Sequence, residues 1–133
     1  MDSKTSEKLI EMALKARANA YVPYSGYRVG AAVLVPSGEI FTGCNIENAS
    51  YSLTNCAERT AIFKAVSEGH TEFEGMAVAV DGNTAAAPCG ACRQVIQEFF
   101  ANTSEIILVN EAGEGGSTTI VQLLPGAFTK HNF

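Results

Sequence analysis

The residues with the most chemical capacity in this 133-residue chain lie in two short stretches, Asn55-Cys56-Ala57-Glu58 and Pro88-Cys89-Gly90-Ala91-Cys92. Three thiolates can fill three corners of a tetrahedral zinc site and leave the fourth for water, the arrangement of a catalytic rather than a structural centre. Glu58, two residues after the first thiolate, is placed to take a proton from that water and hand it on. Small or apolar residues follow each stretch at helical spacing: Ala57, Ala61 and Ala65 after the first, Val95, Ile96 and Phe99 after the second. Both stretches therefore open helices, whose unpaired N–H groups and positive dipole ends favour thiolates over thiols. The spacing predicts two helices aimed at one metal ion.

Other chemistry fits parts of this pattern. Cys89-Gly90-Ala91-Cys92 opening a helix after a strand also suits a redox dithiol. A dithiol enzyme has no use for Cys56-Ala57-Glu58, so the two motifs together favour zinc. Cys44 is a fourth thiol and makes a closed four-cysteine site conceivable, but it lies twelve positions before Cys56, a poor zinc knuckle. At the end of a strand, Cys44 reads better as a small buried hydrophobe. An acid in a first helical turn is favoured by the dipole alone, whereas the position of Glu58 beside a ligand gives it reach to the reacting water. Three thiolates leave a zinc centre with one net negative charge. The helix N-termini and Arg59, donating to ligand sulfurs, would offset it; a solvent-exposed Arg59 fits the sequence equally well.

The elements that must position these residues follow from periodicity. Residues 6–20 carry an apolar stripe, Leu9, Ala13, Ala16 and Ala20, on a charged helix that stops at Pro23 and Gly26. Strands are expected at 28–35 and 39–44, joined by Pro36-Ser37-Gly38, and a polar loop leads from Asn45 to the first metal stretch. A helix over 55–68 ends at Gly69, and 73–80 reads as a central strand, apolar on both faces. A helix over 90–101, a strand over 105–109 and a glycine-rich turn over 112–117 come next. Residues 119–124 form a last strand or short helix before Pro125-Gly126. This order predicts an α/β layer sandwich, a mixed sheet with helices on both faces.

The chain is long enough for one domain, 1–133, and too short for two. A net charge of −5 with nine scattered basic residues argues against nucleic acid and favours a small, weakly charged substrate. The polar start, Met1 to Lys8, has no apolar signal core, and no apolar run approaches the roughly 20 residues a membrane helix needs. A cytoplasmic, reducing setting is expected, where four cysteines point to metal or catalysis rather than disulfides.

Six segments together resemble one family: Pro23-Tyr24-Ser25, Val29-Gly30-Ala31-Ala32, Gly43-Cys44-Asn45-Ile46-Glu47-Asn48-Ala49, Asn55-Cys56-Ala57-Glu58-Arg59-Thr60-Ala61, Pro88-Cys89-Gly90-Ala91-Cys92-Arg93-Gln94 and Leu123-Leu124-Pro125-Gly126-Ala127-Phe128. The chain resembles the small homotetrameric zinc-dependent cytidine deaminases of the cytidine/deoxycytidylate deaminase superfamily. That resemblance implies a three-layer α/β/α sandwich with a mixed sheet of about five strands. It implies one zinc ion per chain on Cys56, Cys89 and Cys92, with Glu58 carrying protons to N3 of the pyrimidine and to the departing ammonia. It assigns Asn45 and Glu47 to the ribose hydroxyls and Tyr27, Ala57 and Phe128 to substrate contact, Phe128 in a neighbouring subunit's pocket. Tyr27 stands where many relatives have phenylalanine, and Tyr51 matches a residue of the intersubunit region. The implied activity converts cytidine and 2′-deoxycytidine to the uridines in pyrimidine salvage, by a homotetramer with active sites at subunit borders. Three alternatives stay open: a deaminase of another aminopyrimidine nucleoside of the blasticidin type, a redox dithiol protein, and a zinc-stabilised binding module.

Overall fold

Asp2 starts the first helix. Its Oδ1 accepts from the Thr5 N–H at 2.7 Å, so α1 covers Ser3–Arg17 and lies three residues nearer the N-terminus than the spacing predicts. The structure is a computed structural model that describes residues 1–133. Leu9, Ala13 and Ala16 form the buried stripe of α1.

The expected hairpin is β1 (Val29–Leu34) and β2 (Ile40–Cys44), turned at Gly38, whose φ of 95° suits glycine. Helix α2 (Ala57–Ser67) precedes β3 (Phe73–Val80), and α3 (Gly90–Phe99) runs directly into β4 (Phe100–Val109). The strand β5 (Gly115–Thr118) and the four-residue helix α4 (Ile120–Leu123) follow. The sheet has five strands in the order β2-β1-β3-β4-β5; β3 and β4 are parallel and the other neighbours antiparallel.

Strand alternation splits the core in two. On one face Ala31, Val33, Met76 and Ile106 pack with Ala61 and Ile62 of α2 and Ile96 of α3. On the other, Ala32, Leu34, Ala77 and Ile107 pack with Leu9 and Ala13 of α1. This is the expected α/β/α sandwich.

Two segments after β3 depart from expectation. The glycine-rich segment 112–117 contains a strand, not only a turn: β5 pairs with β4 from Ile106↔Thr118 to Val109↔Gly115. A Cβ on Gly115 would meet the Leu108 carbonyl oxygen at 1.8 Å, so close backbone approach requires glycine there. The helix expected over 90–101 ends at Phe99, and β4 begins at Phe100 rather than at 105. The Phe100 ring stacks on Phe73 at 5.1 Å, which draws the chain into extended pairing early. Of the two expectations for 119–124, the helix forms, closed by a capping box between Thr119 and Gln122.

The sheet fixes where the loops meet. Gly30 pairs with Cys44 on one side and Ala79 on the other. The start of β1, the end of β2 and the end of β3 therefore lie together, and the loops 18–28, 45–56 and 81–89 emerge from one end of the sheet. No helix is long and apolar enough to cross a membrane.

Candidate active site

Two helix starts face each other at that end. Cys56 is the N-cap of α2 and Cys89 the N-cap of α3, while Cys92 lies buried in the first turn of α3. The three sulfurs lie within 4.8 Å of one another, with Cys56 Sγ 3.8 Å from Cys89 Sγ and Cys89 Sγ 3.4 Å from Cys92 Sγ. Ligands on a tetrahedral zinc with bonds of about 2.3 Å stand about 3.8 Å apart, so this donor set fits the ion with little movement. Cys44 lies outside the cluster, and burial pushes its thiol up against the opposing charge of Lys64.

The groups around the sulfurs favour a thiolate at Cys56. The Cys56 thiol is pulled down to about 5, first by the hydrogen bond with Cys92 and then, against burial, by that from Arg59. Arg59 Nη2 donates to Cys56 Sγ at 3.3 Å. Cys92 shifts the other way, because its hydrogen bond to the Cys56 thiolate and its burial both retain its proton. Glu58 is only 5% exposed, and burial raises its carboxyl to about 7, with the Cys56 charge adding to the rise. A carboxyl in that range can both take and give a proton near neutral pH.

Beside the sulfurs lies a cavity of about 290 Å³, lined by Cys56, Ala57, Glu58 and Cys89 together with Tyr27, Asn45, Glu47 and Tyr51, and by the apolar Val29, Val78 and Val80. Its volume is at the small end of ligand pockets, which begin at roughly 300 Å³. Asn45 Oδ1 accepts from the Val29 N–H and its Nδ2 donates to the Tyr27 carbonyl, both at 2.9 Å. One amide hydrogen of Asn45 is left over. Glu47 Oε1 accepts from the N–H groups of Tyr24 and Ser25 at 3.0 and 3.1 Å, and Oε2 accepts from Ser25 Oγ at 2.5 Å.

Thus Tyr27, Asn45, Glu47, Tyr51, Ala57, Glu58 and two of the cysteines meet at one cavity, Cys92 joins through the sulfur cluster, and Arg59 through Cys56. Phe128 does not line it. It is exposed, its carbonyl accepts from Gln94 Nε2 at 2.8 Å, and its ring meets Phe133 edge-on. Several contributors carried no sequence signal. Asp81, just past the strand expected over 73–80, takes the Arg28 N–H at 2.8 Å and Arg28 Nε at 3.1 Å on one oxygen, while Arg17 Nη1 lies 3.1 Å from the other. This ion cluster ties the end of α1 and the exit of β3 to the segment carrying Tyr27. Ser25 belongs to the turn quoted for the family resemblance, yet only the fold places it against Glu47.

The cytidine and deoxycytidylate deaminase zinc-binding region matches residues 3–109 of the chain. A cytidine deaminase of Sporosarcina psychrophila is 55% identical over 126 residues, which are 95% of this chain and 93% of that one. A cytidine deaminase of Halalkalibacterium halodurans is 51% identical over 123 residues, 92% and 93% of the two chains. Among solved structures, a cytidine deaminase from Burkholderia pseudomallei superposes with a TM-score of 0.89 at 47% identity, covering 96% of this chain and all of that one.

Proposed function

Because the chain belongs to the cytidine and deoxycytidylate deaminase zinc-binding family and is a deaminase of that kind, we propose that it hydrolytically deaminates cytidine and 2′-deoxycytidine. The products are uridine, 2′-deoxyuridine and ammonia, and the setting is pyrimidine salvage in the cytoplasm. The observation that carries this reading is one cavity whose lining joins clustered cysteines and a buried, proton-active Glu58 to the polar pair Asn45 and Glu47.

In this reading Cys56, Cys89 and Cys92 hold one zinc ion per chain. When bound, the zinc supplies the Lewis acidity that makes water a nucleophile near neutral pH. Glu58 takes a proton from the water as its oxygen bonds to C4 of the pyrimidine and delivers that proton to N3. It then takes the remaining proton from that oxygen and passes it to the amino group, so that the C4–N bond breaks to release ammonia as the C4 carbonyl forms. Arg59, by its hydrogen bond to Cys56 Sγ, offsets the negative charge of the thiolates. Asn45 offers its remaining amide hydrogen and Glu47 its free lone pair to ribose hydroxyls, while Tyr27 and Ala57 bound the cavity against the nucleoside. A cavity of about 290 Å³ and a net charge of −5 suit a free nucleoside rather than a polynucleotide.

The whole chain, 1–133, acts as one catalytic domain. Tyr51 and Phe128, 77% and 58% exposed, are the aromatic groups through which four chains would join, Phe128 reaching a neighbour's pocket. The test measures zinc per chain and the ultraviolet change of cytidine becoming uridine, in the wild type and in Glu58→Gln. One zinc per chain in both, with turnover of the variant lower by about 10² to 10⁴, is expected. Zinc without cytidine turnover in the wild type would overturn the reading, and a panel that includes blasticidin S would then identify the amine. A reversible Cys89–Cys92 disulfide without zinc would restore the redox alternative.

A further inference from the structure

One side chain links both ribose-facing groups of the cavity. Ser25 Oγ accepts from the Tyr27 N–H at 3.0 Å and donates to Glu47 Oε2 at 2.5 Å. A hydroxyl has a single hydrogen, and the backbone donor fixes where it goes. The Tyr27 carbonyl in turn accepts from Asn45 Nδ2 at 2.9 Å. Glu47, Ser25, Tyr27 and Asn45 therefore form one hydrogen-bonded chain along the cavity wall.

We infer that Ser25 is a positioning residue for nucleoside binding: its hydroxyl fixes the rotamer of Glu47 so that the free lone pair of Oε2 faces the ribose. The inference rests on the reading of the cavity as a nucleoside site with Glu47 on a ribose hydroxyl. Two backbone N–H groups hold Oε1, and without Ser25 nothing in the structure holds Oε2. The Ser25 hydroxyl, and after it those two N–H groups, keep the Glu47 carboxyl below its ordinary range, so it stays an ionised acceptor. An acceptor fixed in this way recognises a ligand that donates a hydroxyl hydrogen and gives nothing to a ligand without one.

The dependence on a ligand hydroxyl separates positioning from a merely structural role. The zinc-loaded enzyme is assayed as wild type, Ser25→Ala, Ser25→Thr, Glu47→Ala and the Ser25→Ala/Glu47→Ala double variant. Each is measured on cytidine and on 2′,3′-dideoxycytidine, the latter as substrate or, where slow, by its inhibition of cytidine turnover. Ser25→Ala should raise KM for cytidine on the order of tenfold, the loss of one hydrogen bond to a charged group, while kcat changes less than about threefold. Ser25→Thr, which keeps the hydroxyl, should restore KM. Against the dideoxy compound Ser25→Ala should match the wild type, and in the Glu47→Ala background it should add less than about a twofold effect. Equal losses on both ligands, or no change on cytidine, would overturn the inference while leaving the Glu47 assignment intact. An unchanged cytidine KM in Glu47→Ala would instead remove the ribose assignment of Glu47, and the role of Ser25 with it.

Discussion

Gly43 is a point of close approach between the sheet and α2. It sits in β2, paired with Ala31, directly beneath the first turns of α2. A Cβ built on it would lie 2.5 Å from the Ala61 nitrogen, 2.8 Å from the Ala57 carbonyl oxygen and 2.9 Å from Thr60 Cβ. Two of these are backbone atoms of a helix and cannot rotate aside. To restore an ordinary contact of 3.4 Å from 2.5 Å, α2 must retreat by about 0.9 Å. Gly43→Ala should therefore destabilise the fold by about 1–3 kcal/mol, the usual cost of overpacking. The retreat also moves Glu58 and the Cys56 N-cap relative to α3, and a displacement near 1 Å costs about 10²-fold in turnover. The assay is urea unfolding together with kcat/KM of the zinc-loaded, folded enzyme. Leu9→Ala is the control: Leu9 is fully buried on the opposite face of the sheet, under α1. It should cost about 2–5 kcal/mol yet leave kcat/KM of the folded protein within about twofold. A Gly43→Ala protein as stable and active as the wild type would refute the reasoning, as would an equal loss of kcat/KM in Leu9→Ala.

Two further outcomes follow from the charges. Asp81 titrates below its ordinary 3.8: burial, the largest single influence, pushes it up, but the hydrogen bonds from Arg28 and the charges of Arg28 and Arg17 prevail. A carboxyl depressed in the folded state stabilises above its unfolded pKa and loses that contribution as pH falls through the folded value. Urea midpoints should thus fall further in the wild type than in Asp81→Asn between about pH 6 and about pH 3, and equal falls would count against the cluster. Removing zinc with a chelator should abolish turnover and open the site cysteines to iodoacetamide, followed site by site by mass spectrometry. Cys56, pulled to about 5, should label before Cys44, which burial pushes up. Returning zinc should restore both activity and protection; labelling indifferent to zinc, or Cys44 first, would contradict the placement of the metal.

The sequence exposes what depends on local spacing and conceals what depends on approach. Cys56, Glu58, Cys89 and Cys92 are legible because helix-start chemistry and ligand spacing are written within a few residues. β1, β2 and β3 are legible because apolar residues announce strands wherever side chains do the packing. β5 is not, since Gly115 and Gly116 join the sheet through backbone pairing, where glycine serves the contact rather than a loop. α1 begins early because Asp2 caps it, a signal that lies ahead of the apolar stripe. The bond between Ser25 and Glu47 spans 22 positions and that between Asp81 and Arg28 spans 53. No periodicity reaches across such distances, so the residues that orient the cavity emerge only once the sheet has brought their loops together.

The sheet order also explains why two helices rather than one serve the metal. Helix α2 brings one sulfur, Cys56, and α3 brings two, Cys89 and Cys92, so a three-sulfur site needs both helix starts. Gly30 lies between Cys44 and Ala79, so the loops leaving β2 and β3 start side by side at one sheet end. Both loops then turn back into helices, α2 and α3, that pack on the same face of the sheet around Ala61, Ile62 and Ile96. Their N-termini must converge over the end of the sheet, and Cys56 and Cys89 occupy the two N-caps where they do. The third loop, 18–28, enters β1 at that same end and brings Ser25 and Tyr27 against Glu47 and Asn45. Metal ligands and ligand-facing wall are thus consequences of one pairing register. Within a strand, a slip of one residue would turn every apolar side chain to the other face, so the core that fixes the register also fixes the site.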